Sequence, residues 1–214
     1  MARGTFITFE GGEGAGKSTQ ARRLAERLKA PGAPPVVLTR EPGGSPGAEA
    51  IRALLVSGAA DRWSPVSETL LMYAARRDHI ERTIEPALAR GETVICDRFL
   101  DSTRAYQGAG GDAPSGLIAA LEAAVLGETR PDLTLIFDLP IDVGLARAAA
   151  RGEGEARFES KGLDFHERLR IAFLQIGLRE PDRCVILDAQ GDPDAVAERV
   201  WSALAGRLRL GGHG

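Results

Sequence analysis

Residues 11–18 read GGEGAGKS, with Gly11, Gly12, Gly14 and Gly16 inside six positions. An apolar run, TFITFE (5–10), precedes them, and a helical pattern with Ala21, Leu24, Ala25 and Leu28 at i, i+3, i+4 and i+7 follows. This stretch constrains the fold more than any other. It fits G-x-x-x-x-G-K-[ST] between a strand and a helix. Glycine admits positive φ and lets the backbone approach a ligand closely. The loop can then turn its N–H groups inward as a nest for phosphate oxygens, with the positive end of the helix dipole behind it. Lys17 can reach the terminal phosphates of a nucleoside triphosphate, and the Ser18 hydroxyl can hold Mg²⁺.

Four further apolar runs look like buried strands: PVVLT (35–39), TVICD (93–97), LTLIFD (133–138) and CVILD (184–188). They alternate little, as expected of a parallel sheet covered on both faces. Helical patterns separate them: Ile51 with Leu54 and Leu55; a long one from Leu70 to Leu88 with Ile80, Ile84 and Leu88 on a stripe; Leu117, Leu121 and Val125; and Val196, Val200 and Leu204. Strand and helix alternate, so the class is α/β with a central five-stranded parallel sheet. No composition break divides the 214 residues, which predicts one domain over 1–214. The segment 151–162 is polar, charged and Gly-punctuated, and reads as a mobile surface stretch.

Bulk properties narrow the function. The net charge of −3 gives no field for nucleic acid or membrane surfaces. The N-terminus lacks a signal-peptide core, and no run approaches spanning length, so a cytoplasmic location is expected. Cys96 and Cys184 are far apart and read as reduced core residues. A dinucleotide G-x-G-x-x-G is absent at the loop. The chain has no Asn, so the Asn-Lys-x-Asp guanine reader of GTP switches is impossible.

Asp97 ends the third strand, beside the phosphate crevice of an open α/β sheet, where it can hold Mg²⁺ directly or through water. Arg98 follows it, and Arg40 ends the second strand on the same edge. An Asp-Arg pair at a strand end also occurs as a plain surface ion pair. The surrounding motifs favour a site: TREPGG (39–44), LLMYAARRDHI (70–80) and DRFLDSTRAYQG (97–108). With the nest and the Arg-rich RAAARGEGEARFESKGLDFHERLR (147–170), this constellation resembles the thymidylate kinases, which phosphorylate dTMP with ATP.

The resemblance covers nearly the whole chain and implies a P-loop nucleoside monophosphate kinase fold with a small lid at about 147–163. It places ATP on Gly11, Gly12, Glu13, Gly14, Ala15, Gly16, Lys17, Ser18 and Thr19, with Arg147 bordering adenine. It places Mg²⁺ at Ser18 and Asp97. Arg40 and Arg98 match the arginines that hold the acceptor phosphate, and Glu13 the acid at the sugar 3′-hydroxyl. Arg76 matches the reader of the thymine edge, Gln107 the residue near N3, Ser102 a neighbour of the base, and Tyr106 the aromatic over the sugar. The family stacks a Phe on thymine four residues before that arginine; here Met72 stands there with Tyr73 beside it, and either can line the pocket. The nest carries no arginine, which matches the bacterial form whose lid supplies catalytic arginines, here Arg151 first and Arg157 second. A homodimer is also implied, with the helices near 66–90 and 114–126 as its surface. A kinase for another nucleotide or deoxynucleoside, and a non-catalytic nucleotide sensor, are the alternatives.

Overall fold

The computed structural model describes residues 3–59, 61–151 and 161–207. Five strands form one parallel sheet in the order β2-β3-β1-β4-β5: β1 Phe6–Gly11, β2 Val36–Arg40, β3 Thr93–Asp97, β4 Leu133–Asp138 and β5 Cys184–Asp188. Central β1 is buried at every position, so its apolar run needs no alternation. β2 and β5 lie at the edges and are only partly buried. β1 pairs with β3 through Phe6 with Val94 and with β4 through Ile7 with Leu133. The chain leaves β1 toward β2 on one side and leaves β3 toward β4 on the other. The loops after these strands therefore part at the C-terminal edge, where a crevice opens.

Helix α1 (Lys17–Arg27) packs Ala21, Leu24 and Ala25 against Ile7, Phe9 and Ile95. Helix α2 (Pro46–Val56) follows β2, and α3 (Pro65–His79) starts from Ser64, whose hydroxyl accepts the Ser67 N–H. The long helical pattern through Leu88 is real but not uniform. A π turn at Ile80–Ile84 joins α3 to α4 (Glu85–Ala89). Pro86, which lacks an N–H, sits just beyond that turn, and the Glu85 N–H reaches back to Ile80. Ile80, Ile84 and Leu88 still share one core cluster with Phe6 and Phe99.

Helix α5 (Leu100–Thr103) runs into a second π turn, Arg104–Ala109. In helix α6 (Ser115–Leu126) the expected stripe of Leu117, Leu121 and Val125 is half-buried, with Leu121 and Val125 against the core, and the adjacent Ile118, Glu122 and Leu126 are buried. This helix is apolar nearly all round. Glu122 is buried in it because Arg104 and Arg130 pair with it. Helices α7 (Ile141–Arg151), α8 (Leu163–Arg179) and α9 (Pro193–Arg207) follow among the described residues. Helix α8 packs Phe165, Leu169 and Phe173 against Tyr106 and Ile136. Cys96 and Cys184 are buried free thiols. Among the described residues no helix is long and apolar enough to cross a membrane. The polar segment expected to be mobile, and with it most of the lid, lies outside the described residues.

Candidate active site

The loop between β1 and α1 takes left-handed backbone at Gly14 (φ 67°) and Gly16 (φ 88°). A Cβ on Gly14 would stand 1.9 Å from the Gly144 carbonyl at the start of α7, so no side chain fits there. Among the described residues no side chain caps the first turn of α1, and that turn carries no acid, which leaves its N–H groups to an anion. Lys17 is buried, and its ammonium donates to the Gly12 carbonyl at 2.7 Å. Burial lowers its pKa to about 8, helped by Arg98 and opposed by Glu13, Asp97 and Glu10.

Beside it, the Ser18 hydroxyl donates to Asp97 Oδ2, and Asp97 Oδ1 is buried without a partner among the described residues. A serine oxygen next to a carboxylate with an orphaned oxygen is a hard donor set, which fits Mg²⁺. Across the loop, Gly14, Gly16, Thr19, Arg147, Ala189 and Gly191 line a groove of about 360 Å³. The Arg147 guanidinium sits there, within 3.4 Å of the Ala189 and Gly191 carbonyls.

On the other side of the nest, Arg98 takes positive φ (69°), a conformation rare outside glycine and costing on the order of 1 kcal/mol or more. The turn aims its guanidinium back at the loop. Nη1 donates to the Gly11 carbonyl (3.1 Å) and the Ser102 hydroxyl (3.3 Å), and Nη2 to Glu13 Oε1 (3.0 Å). The Tyr106 hydroxyl donates to the same Glu13 oxygen at 2.5 Å, and its ring lies 4.8 Å from the Arg98 guanidinium. Burial would raise the Glu13 pKa, but Arg98, Lys17 and the Tyr106 hydroxyl outweigh it and hold it at about 2.

Glu10, fully buried on β1, keeps this turn in place by accepting the Phe99 N–H (2.8 Å), the Ser102 N–H (3.2 Å) and the Ser102 hydroxyl (2.6 Å). Burial and then Asp101 push its pKa up to about 7, against those hydrogen bonds. The sequence offered no signal for Glu10 beyond an acid closing an apolar strand.

A narrow pocket next to Arg98 is lined by Glu41, Pro42, Met72, Arg76, Phe99, Ser102, Thr103, Tyr106 and Gln107. Arg76 is 2% exposed. Its Nε donates to Glu41 Oε2 (2.7 Å) and its Nη2 to the Phe99 carbonyl (2.9 Å) and Thr103 Oγ1 (3.0 Å). Its Nη1 has no partner among the described residues. Met72 lines the pocket; Tyr73 does not. Tyr73 is 1% exposed and packs with Ala113 and Ile118, its ring 4.9 Å from the Arg76 guanidinium. Neighbouring helical positions point about 100° apart, so only one of the two can face the pocket. Phe99, whose place no local sequence signal marks, lines it and flanks Arg76 at 5.1 Å.

One expected position stands apart from the pocket, and two lie beyond what is described. Arg40 lies in register with Asp97 at the strand ends, but it is exposed, pairs with Glu49 at 3.1 Å and is not among the pocket-lining residues. Arg151 ends α7 and Arg157 lies outside the described residues, so the side chains of both are beyond what is described.

One crevice thus joins a candidate phosphate nest, a candidate metal site and a pocket with directed polar groups. The comparisons agree with that combination. The thymidylate kinase family model matches residues 9–200. A thymidylate kinase of Caulobacter vibrioides is 71% identical over 98% of this chain and 100% of its own length. One of Bradyrhizobium diazoefficiens is 58% identical over 96% of this chain and 91% of its own. The crystal structure of thymidylate kinase from Ehrlichia chaffeensis, 36% identical, superposes with a TM-score of 0.76 over 94% of this chain and 99% of that one. A match of this extent, in sequence and in architecture, leaves one assignment: this chain belongs to the thymidylate kinase family.

Proposed function

We propose that this protein transfers the terminal phosphoryl group of ATP to dTMP, giving ADP and dTDP. The observation that carries the reading is the bridge at Glu13: an acid of the nest bonded to Arg98 and Tyr106 of the acceptor side. It brings donor and acceptor ends together at one point, as in-line transfer requires. The bond from phosphorus to the ADP oxygen breaks as the bond to a dTMP phosphate oxygen forms. That oxygen is already anionic, so no base need remove a proton.

The nest N–H groups and Lys17 hold the donor phosphates. Arg98 holds the acceptor phosphate, where its planar fork grips two oxygens and stays charged. Arg40 shares that role from the rim, since its own side chain is exposed and a surface ion pair such as that with Glu49 holds it only weakly. Ser18 and Asp97 would hold Mg²⁺, which, when bound, neutralises charge on the phosphate oxygens. Glu13 takes the sugar 3′-hydroxyl and Tyr106 covers the sugar. Arg76 and Gln107 meet the base, with Ser102 and Met72 beside it. Arg147 borders adenine in its groove. Closing lid arginines, Arg151 foremost, supply the remaining positive charge and exclude water.

We also read the chain as one cytoplasmic domain with a lid at about 147–163, working as a homodimer. Val66 and Leu70, exposed on α3, and half-buried Leu117, Leu121 and Val125 on the contacting α6 support the dimer. A coupled assay with ATP and dTMP, dUMP or dCMP tests the activity. Preferred turnover of dTMP is expected; no turnover of any of them, or a preference for another nucleotide, would remove the reading.

A further inference from the structure

The two base-facing groups each rest on a buried carboxylate to which the proposed reaction gives no role. Behind Arg76 stands Glu41, 6% exposed, whose Oε2 takes the Arg76 Nε–H. Its Oε1 lies 2.9 Å from His79 Nδ1, and His79 Nε2 lies 2.8 Å from Thr39 Oγ1. Behind Gln107 stands Glu68, 8% exposed, whose Oε1 is 2.8 Å from Gln107 Nε2.

These contacts fix direction as well as position. An ionised carboxylate only accepts hydrogen bonds, so the amide of Gln107 must turn its NH₂ toward Glu68. Its carbonyl oxygen is then the end offered to a ligand, an acceptor. With Nε on Glu41 and Nη2 on Phe99 and Thr103, Arg76 has Nη1 left over, a donor that is buried and unpartnered among the described residues. A donor beside an acceptor matches the thymine edge, where the C4 carbonyl accepts and N3–H donates. It opposes the cytosine edge, where the C4 amino group donates and N3 accepts.

We propose that Glu41 and Glu68 are positioning residues that set the donor–acceptor polarity of the base pocket, and so its preference for a 4-oxo over a 4-amino pyrimidine. The inference rests on the assignment of this pocket to the base. Glu41 does so by locking the Arg76 guanidinium, with His79 and Thr39 locking Glu41 in turn. Glu68 does so by forbidding the flipped amide of Gln107. A flipped amide leaves polar groups unmatched in a buried site, which is where discrimination is strongest.

The test compares dTMP with 5-methyl-dCMP, which carries the same methyl group and differs only in the C4 and N3 chemistry. Turnover is measured for the intact protein and for Glu68→Gln and Glu41→Gln, both close in shape to the native side chains. In Glu68→Gln the facing amides can pair either way. Its kcat/KM preference for dTMP over 5-methyl-dCMP should fall by roughly tenfold or more, through KM for the nucleotide, with KM for ATP unchanged. Glu41→Gln should shift the preference the same way. A merely structural role would lower activity on both nucleotides in proportion, and an unchanged ratio in Glu68→Gln overturns the proposal even if Glu41→Gln fails to fold. If the intact protein already uses the two nucleotides equally, the base-pocket assignment itself fails, a result the variants would not mimic.

Discussion

The Lys17 ammonium donates a 2.7 Å hydrogen bond to the Gly12 carbonyl, five residues back across the same loop. The bond folds the side chain along the nest instead of out of it. Burial holds the amine at about 8, below its ordinary value, in spite of the acids around it. In the free protein the ammonium is therefore lost as pH rises through about 8. The kcat/KM for ATP should fall on that alkaline limb, while bound phosphates raise the pKa and carry kcat further. A pH–rate series checks both limbs. Lys17→Ala should lose ATP binding and turnover together, by roughly 10²–10³ in kcat/KM, and lose the limb as well.

Asp97 and Ser18 bind each other through one carboxylate oxygen and leave the second buried without a partner among the described residues. Asp97→Asn weakens a hard donor set without changing its shape. The Mg²⁺ concentration for half-maximal rate should rise by roughly tenfold, and a metal titration at saturating ATP and dTMP reads it directly. An unaltered titration curve would move the metal elsewhere.

Glu10 gives a stability prediction with a definite sign. Its pKa is raised to about 7 in the folded protein, from 4.5, by burial and then by Asp101. Folding therefore takes up a proton between those values. Its contribution to stability is fully present below the unfolded pKa and is lost as pH rises through about 7. Glu10→Gln keeps an acceptor for Phe99 and Ser102 and removes the titration. Relative to this variant, the native protein should lose stability across that window with a slope of at most about 1.4 kcal/mol per pH unit. Urea unfolding at several pH values measures the difference; parallel curves would place the proton on another group.

The nest has no arginine, yet charge grows on the transferred phosphoryl group. An arginine delivered to it is worth roughly a thousandfold or more. Arg151→Ala should lower kcat by that order while leaving dTMP affinity nearly unchanged, with Arg157→Ala weaker. Single-turnover rates alongside equilibrium dTMP binding separate the two effects. Near-native rates in both variants would make the lid arginines a solvated face.

How much of this was legible before the fold was known follows from the range of the interactions. The nest is local: its spacing, its strand and its helix lie within about two dozen residues, and Gly14, Gly16, Lys17 and Ser18 stand where that pattern put them. The five strands were readable because burial on both faces leaves a continuous apolar run. The burial of Glu122 on α6 was not readable, because it depends on Arg104 and Arg130 reaching it from other elements. The choice between Met72 and Tyr73 turned on a rotation of the helix about its axis, set by packing on Ala113 and Ile118. Glu10, Glu41 and Glu68 are ordinary acids along the chain. Their meaning comes from partners 35 to 92 residues away, which only the tertiary structure brings within hydrogen-bond reach. Local geometry determined the shape of the nest; long-range burial of charge decided which partners Arg76 and Gln107 meet in the neighbouring pocket.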